Sequence, residues 1–194
     1  MSEQVDIASR PPTVLLGVTG CIAAYKSCEV VRALQKAGYR VKVVMTHHAT
    51  RFVGATTFKA LTHELVAVEL FDEPGDPIHH ISLAQEAAVC AIVPATANVI
   101  AKLSAGIADD LLTTTVLATQ APLVIAPAMN VHMYENARFA TALRSLRESG
   151  AHIVEPESGY LACGDVGEGR LASVDTIVQA ILACLPRSGK LAGK

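Results

Sequence analysis

Five short and almost uninterrupted aliphatic runs recur along these 194 residues: TVLLGV (13–18), YRVKVVM (39–45), VCAIVP (89–94), PLVIAP (122–127) and AHIVEP (151–156). A strand with one face in water alternates apolar and polar positions. Runs this continuous in Val, Ile and Leu belong to strands covered on both faces, as in a parallel sheet sandwiched between helices.

The segments between the runs have helical period. After the first run, Ile22, Tyr25, Cys28, Val31 and Leu34 recur at three-residue spacing while Lys26, Glu29, Arg32 and Lys36 fall elsewhere, and Gly38 follows as a stop. That pattern predicts an amphipathic helix capped by glycine. Helical patterns also cover roughly 50–62, 96–119, 136–149 and 173–185, with Asn136 and Ser173 as expected N-caps. Strand and helix in alternation predict an α/β fold built on a doubly wound parallel sheet.

A chain of this length can bury most of its apolar surface as a single domain. The expected division is 1–12 as a loose N-terminus, 13–185 as the domain, and 186–194 as a tail or the start of a linker. Apolar residues make up 51% and charged ones 18%, with a formal net charge of −2. So little charge suggests that sister subunits cover part of the surface. Without Lys/Arg runs there is no electrostatic footprint for nucleic acid or anionic membranes. The run VLLGVTGCIAA (14–24) is preceded by Glu3 and Asp6 and is too short to span a bilayer. The cysteines at 21, 28, 90, 163 and 184 are odd in number and form no CxxC pair. Neither a disulfide framework nor a metal site is indicated, and a reducing cytoplasm fits.

Ligands of such sheets bind beyond the carboxyl ends of the strands, where helix N-termini present N–H groups to anions. After the first run comes GVTGCIA, in which the N–H groups of Gly20, Cys21 and Ile22 can open toward a phosphate; after the second come Thr46, His47 and His48. The GxGxxG turn and the ribose-binding acid of a dinucleotide site are absent, whereas a mononucleotide such as a flavin needs only hydroxyls and N–H groups. PATAN (94–98) and PAMNVHM (127–133) leave their strands through proline and small residues that let a flat ring approach. Thr96, Asn98 and Asn130 supply polar groups there, and Met129 can pack on an isoalloxazine face. Taken singly, each of these asparagines suits a helix cap better than a ligand contact, but finding both at the carboxyl ends of strands favours ligand contact.

GVTGCIAAYK, VVMTHHATRFV, HHISLA, PATAN, PAMN and ACGDVGEGR, in this order from about Thr13 to Leu185, resemble the flavin-dependent cysteine decarboxylases, and most closely the branch acting on phosphopantothenoylcysteine in coenzyme A biosynthesis. The resemblance implies a three-layer Rossmann/flavodoxin-like fold, FMN as cofactor, and trimers or dodecamers with the active site at a subunit interface. It implies that His80 is the catalytic histidine, with His79 a rival, that Asn130 holds the substrate carboxylate, and that Cys163 is the acid. Gly20, Cys21, Ile22, Thr46, Thr96, Ala97, Asn98, Ala128 and Met129 then contact FMN, while Met133, Ala162, Gly164 and Asp165 join Asn130 and Cys163 around the substrate. In some bacterial relatives a phosphopantothenate-cysteine ligase domain follows.

These residue types suit the reaction. A cysteine carboxylate cannot simply lose CO2, because the carbanion left behind has no electron acceptor. Two-electron oxidation of the carbon bearing sulfur by flavin gives a thioaldehyde, from which CO2 departs to leave an enethiolate. A histidine of ordinary pKa, about 6.5, can act as base or electrostatic partner. An Asn amide holds a carboxylate without gripping it too tightly to leave. Returning hydride to the enethiolate requires a proton on carbon, which a thiol can supply. Gly159, Gly164, Gly167 and Gly169 suggest a lid carrying Cys163 to the substrate, where Asp165 and Arg170 either latch the loop or touch substrate.

The chain departs from the resemblance in places. QEAAV (85–89) puts Glu86 and Ala88 where many relatives carry an aromatic-Ala-Asp sequence, and PATANV carries Thr96 and Val99 where many have Ser and Thr. The alternatives are a peptidyl-cysteine oxidative decarboxylase, which needs no acid cysteine, and a non-enzymatic FMN-binding regulatory protein, whose long acidic tail is not seen here.

Overall fold

In the computed structural model, residues 11–71, 78–160 and 164–185 are described. Six parallel strands form the central sheet: β1 (Thr13–Val18), β2 (Arg40–Met45), β3 (Val66–Ala67), β4 (Ala87–Ala95), β5 (Leu123–Pro127) and β6 (His152–Ile153). Their order is β3-β2-β1-β4-β5-β6. The chain thus winds outward from β1 on one side, then returns to β4 and winds outward on the other. This reversal between β1 and β4 opens a crevice at their carboxyl ends.

The strands are buried on both faces because alternate side chains feed two separate cores. Val14, Leu16 and Val18 pack under α1 (Lys26–Lys36), α2 (Ala55–Thr62) and α8 (Val174–Cys184). Leu15, Cys90, Ile92 and Ile125 pack under α3 (His79–Glu86), α4 (Ala97–Ala105), α5 (Leu111–Ala118) and α7 (Ala137–Glu148). Each fully buried aliphatic side chain in these layers contributes about 1.5–3 kcal/mol of transfer free energy. The three-layer α/β expectation holds.

Several boundaries differ from the sequence expectation. The two-residue edge strand β3 was not anticipated, because LVAVEL (65–70) is too brief to separate from the end of a helix. The 96–119 pattern is two helices: Gly106 ends α4 in the left-handed region at φ 68°, and an Asp110–Thr113 capping box starts α5. Ile22 and Tyr25 do not join the apolar face of α1. They lie on a 3-10 turn (Ile22–Tyr25) and are more than half exposed. Asn136 and Ser173 cap α7 and α8 as expected.

The glycine-rich stretch is largely an ordered hairpin. Strands β7 (Glu157–Tyr160) and β8 (Val166–Arg170) pair antiparallel. Glu157 Oε1 accepts the Ser173 N–H at 2.8 Å, fixing the hairpin's base to the start of α8. Two of its glycines serve close packing rather than mobility. Gly167 faces Val131, and Gly169, at φ 130°, lies where a Cβ would fall on the Met129 carbonyl oxygen. Ala162 and Cys163, and the 186–194 tail, lie outside the described residues.

Glu86 is explained by its surroundings. It ends α3 and accepts from Lys42 Nζ at 2.6 Å and from Arg40, which also bonds Glu64 at 2.6 Å. Val99 is buried in the α4 core, and its N–H is capped by Thr96.

Candidate cofactor and substrate site

Proline shapes the crevice. Pro94 lacks an N–H, and the β4–β5 register shifts between Ile92 and Ala95. The carbonyls left outside the ladder are taken by hydroxyls: Ser27 Oγ donates to Val93 O at 2.6 Å, and Thr19 Oγ1 donates to Pro94 O at 2.6 Å. Thr19 Oγ1 also accepts the Thr96 N–H at 3.0 Å, tying the β1 turn to the start of α4. Neither hydroxyl was singled out from the sequence, although buried Ser and Thr beside a strand proline are a usable signal.

Gly20 follows Thr19 because a Cβ there would sit 2.6 Å from the His48 Cβ. The β1 and β2 turns therefore approach within contact only if this position has no side chain. The Cys21 N–H is spent on Thr19 O at 2.9 Å, so it is not among the N–H groups open to a phosphate. Burial pushes the Cys21 thiol up from its ordinary pKa, and the neutral Sγ lies 3.8 Å from Ala128 O.

These turns wall a crevice of about 680 Å³ at the carboxyl ends of β1, β2, β4 and β5. Gly20, Cys21, Thr46, Thr96, Ala97, Asn98, Ala128, Met129 and Met133 all line it. Thr46 and Thr96 spend their hydroxyls on the Ala49 and Val99 N–H groups, as caps of the following turns. Asn98 is not a cap: it lies exposed in the first turn of α4. A second cleft of about 440 Å³ adjoins the first, with Cys21, Ala128 and Met129 in both walls. Ile22, expected beside the cofactor, lines this second cleft, together with Asn130.

Asn130 is aimed from both ends. It caps α6 (Val131–Tyr134), its Oδ1 accepting the His132 N–H at 2.9 Å, and its Nδ2 donates to Asp165 Oδ2 at 2.8 Å. The capping role fixes which amide atom faces the hairpin. The Met129 N–H donates to Gly169 O at 2.9 Å, so main chain and side chain both join the PAMN turn to β8. Asp165, expected around the substrate, is thus bonded to Asn130. At the far end of α6, Tyr134 donates to Glu155 Oε2 at 3.1 Å; burial first, then Glu155, pushes its phenol up to about 12.

His80 lines neither cleft within one chain. It stands in the first turn of α3, which packs on α5. The Thr119 hydroxyl, just after α5, donates to Ala84 O near the end of α3 at 3.0 Å. The two helices therefore run alongside each other, with their N-termini toward the crevice edge of the sheet.

The crevice fits a flavin: a switch point, a glycine turn that a Cβ would close, small Ala97 and Ala128, and polar Thr46, Thr96 and Asn98. Residues 3–185 match the flavoprotein family. The chain belongs to the flavoprotein family.

Among its relatives, the coenzyme A biosynthesis bifunctional protein CoaBC of Bacillus subtilis is 50% identical over 167 residues, covering 86% of this chain and 41% of that protein. The chain thus spans about two fifths of that relative. A probable phosphopantothenoylcysteine decarboxylase of Streptococcus mutans is 42% identical, covering 87% of this chain and 96% of the relative. Among solved structures, a mutant PPC decarboxylase complexed with pantothenoylaminoethenethiol superposes with a TM-score of 0.79 at 31% identity, over 90% of this chain and 98% of the other. The FMN-dependent cysteine decarboxylase SpaF gives a TM-score of 0.78 at 33% identity, with the same coverage. Among the described residues no helix is long and apolar enough to cross a membrane, and no cluster of His, Cys, Asp or Glu could hold a metal.

Proposed function

We propose that the chain is the FMN-dependent decarboxylase of 4'-phosphopantothenoylcysteine, releasing CO2 and 4'-phosphopantetheine in coenzyme A biosynthesis. The observation that carries the proposal is the Asn130 amide, which lines the second cleft next to Ala128 and Met129 of the shared wall and binds a carboxylate, that of Asp165, at 2.8 Å. The names of the relatives support the same chemistry, and FMN is supported by the fit of the crevice to a mononucleotide.

When bound, the flavin supplies two-electron oxidation of the carbon bearing sulfur and later returns the electrons as hydride. The chain's residues do the rest. Gly20, Cys21, Thr46, Thr96, Ala97, Asn98 and Ala128 hold the cofactor, with Met129 against its ring and Ile22 on the substrate side. Asn130 orients the cysteine carboxylate for departure, and Met133, Ala162, Gly164 and Asp165 enclose the headgroup. Cys163 delivers the proton to carbon. His80 serves a neighbouring protomer's site in a trimer or dodecamer, which accounts for its standing at the crevice edge of the sheet without lining its own clefts. Exposed Phe71 and Leu117 support such assembly, being 85% and 66% accessible. The described cysteines are free thiols, which supports a cytoplasmic setting. The bifunctional relatives support a ligase partner, fused or separate, and residues 13–185 form the decarboxylase domain.

Purified protein incubated with phosphopantothenoylcysteine is expected to be yellow and to release CO2 and phosphopantetheine in equal amounts. Flavin absorbance without CO2 release would return the chain to the regulatory alternative.

A further inference from the structure

The second cleft contains two cations with no ion-pair partner among the described residues. Lys26, at the first turn of α1, and Arg170, at the end of β8, both line it, and among the described residues no carboxylate does. Neither side chain makes an ion pair among the described residues, although Arg40, Lys42, Lys102 and Arg147 all do. The course of Arg170 is set by its neighbour across the hairpin. A Cβ on Gly159 would come 3.1 Å from Arg170 Nη1 and 3.3 Å from its Cδ, so the absence of a side chain there leaves room for the guanidinium to lie across β7. The same cleft has an apolar lining from Ile22, Ala23 and Leu171, together with Tyr25 and Tyr160.

We propose that Lys26 and Arg170 form a subsite for a phosphate monoester, the terminal phosphate of the substrate's pantetheine-like arm. This rests on the decarboxylase reading above and assigns the part of the substrate remote from the reacting carbon. A phosphate monoester carries a charge of about −1.5 to −2 at neutral pH, which two cations match and one carboxylate does not require. Arg170 supplies a planar fork for two phosphate oxygens and Lys26 a point charge. The apolar stretch suits the methyl-bearing arm, and Asn130 in the same cleft receives the carboxylate end. Arg170 is thereby assigned to the substrate's phosphate, while Asp165 joins the hairpin to Asn130 beside the headgroup.

The test is calorimetric titration of the FMN-loaded protein with 4'-phosphopantetheine and with pantetheine, which differ only in the phosphate. The native protein is expected to prefer the phosphorylated ligand by about tenfold or more, with the preference shrinking as salt rises. Lys26→Gln and Arg170→Gln each reduce it several-fold, the double variant abolishes it, and pantetheine affinity stays within about twofold, which also reports folding. An undiminished preference in the double variant, or none in the native protein, overturns the subsite. Loss of preference for FMN over riboflavin in the variants also overturns it, because the cations would then serve the cofactor's phosphate. Failure of the native protein to release CO2 from phosphopantothenoylcysteine counts against the decarboxylase reading alone.

Discussion

Asn130 and Asp165 meet across the gap between α6 and the β7–β8 hairpin, amide nitrogen to carboxylate oxygen, at 2.8 Å. The residue that caps α6 is thereby also the residue that holds the hairpin.

The first prediction follows from that bond. Hydrogen bonds to charged groups contribute about 1.5–3 kcal/mol, so Asp165→Ala is expected to raise the substrate KM about tenfold and to speed amide exchange through residues 166–170. Asp165→Asn, which keeps an acceptor, should fall between. Unchanged exchange by mass spectrometry in the Ala variant rules out the fastening.

Gly169 provides a second test. Its φ of 130° lies in a region other residues avoid, and any Cβ meets the Met129 carbonyl. Gly169→Ala should detach the hairpin from α6 while leaving the six-stranded sheet folded. Limited proteolysis is expected to cleave within 157–170, and circular dichroism to remain native.

Thr19 bears on stability and flavin retention together. Thr19→Val leaves the Pro94 carbonyl and the Thr96 N–H without their partner, at about 1–3 kcal/mol for each buried group. A thermal melt should show a loss of several degrees and dialysis a faster loss of flavin. Thr19→Ser restores both bonds and should behave as the native protein.

The extent to which site and fold were legible before the structure can be argued residue by residue. β1, β2, β4 and β5 announced themselves because burial on both faces removes polar positions from a strand. β3, with two paired residues, had no room for a pattern. The 3-10 turn bearing Ile22 and Tyr25 was read as helix core because apolar residues lining a cleft look the same in sequence as those lining a core. The glycines of 159–170 suggested motion, yet Gly167 and Gly169 mark close approach to Val131 and Met129, a distinction only tertiary neighbours make. Asn130 was legible as a cap, whereas the bond its other amide atom makes to Asp165, 35 residues away, is set by tertiary neighbours alone.

Glu86 should give the protein an acid-sensitive bond. Burial pushes its carboxyl up, but the bonds to Lys42 and Arg40 more than offset this and hold it below the ordinary value. A group depressed in the folded state stabilises above its unfolded pKa, about 4.3, and loses that contribution as pH falls through the folded value. Melting temperature should therefore drop more steeply below about pH 4.5 in the native protein than in Glu86→Gln. Parallel curves for the two proteins would remove the ion pair from the acid response.

Cys163 lies outside the described residues, and its role is tested chemically. Cys163→Ser is expected to release CO2 from substrate and accumulate the oxidised enethiol product. Mass spectrometry showing normal conversion to phosphopantetheine would exclude the thiol as the proton donor.

The wall common to the two clefts has a thermodynamic consequence. Cys21, Ala128 and Met129 touch whatever fills either space, so neither occupant binds to a surface indifferent to the other. Linkage is reciprocal: by whatever factor flavin tightens the grip on an arm-like ligand, that ligand must tighten the grip on flavin. Where that factor exceeds one, protein partly stripped of flavin regains it more readily with an arm-like ligand in the neighbouring cleft.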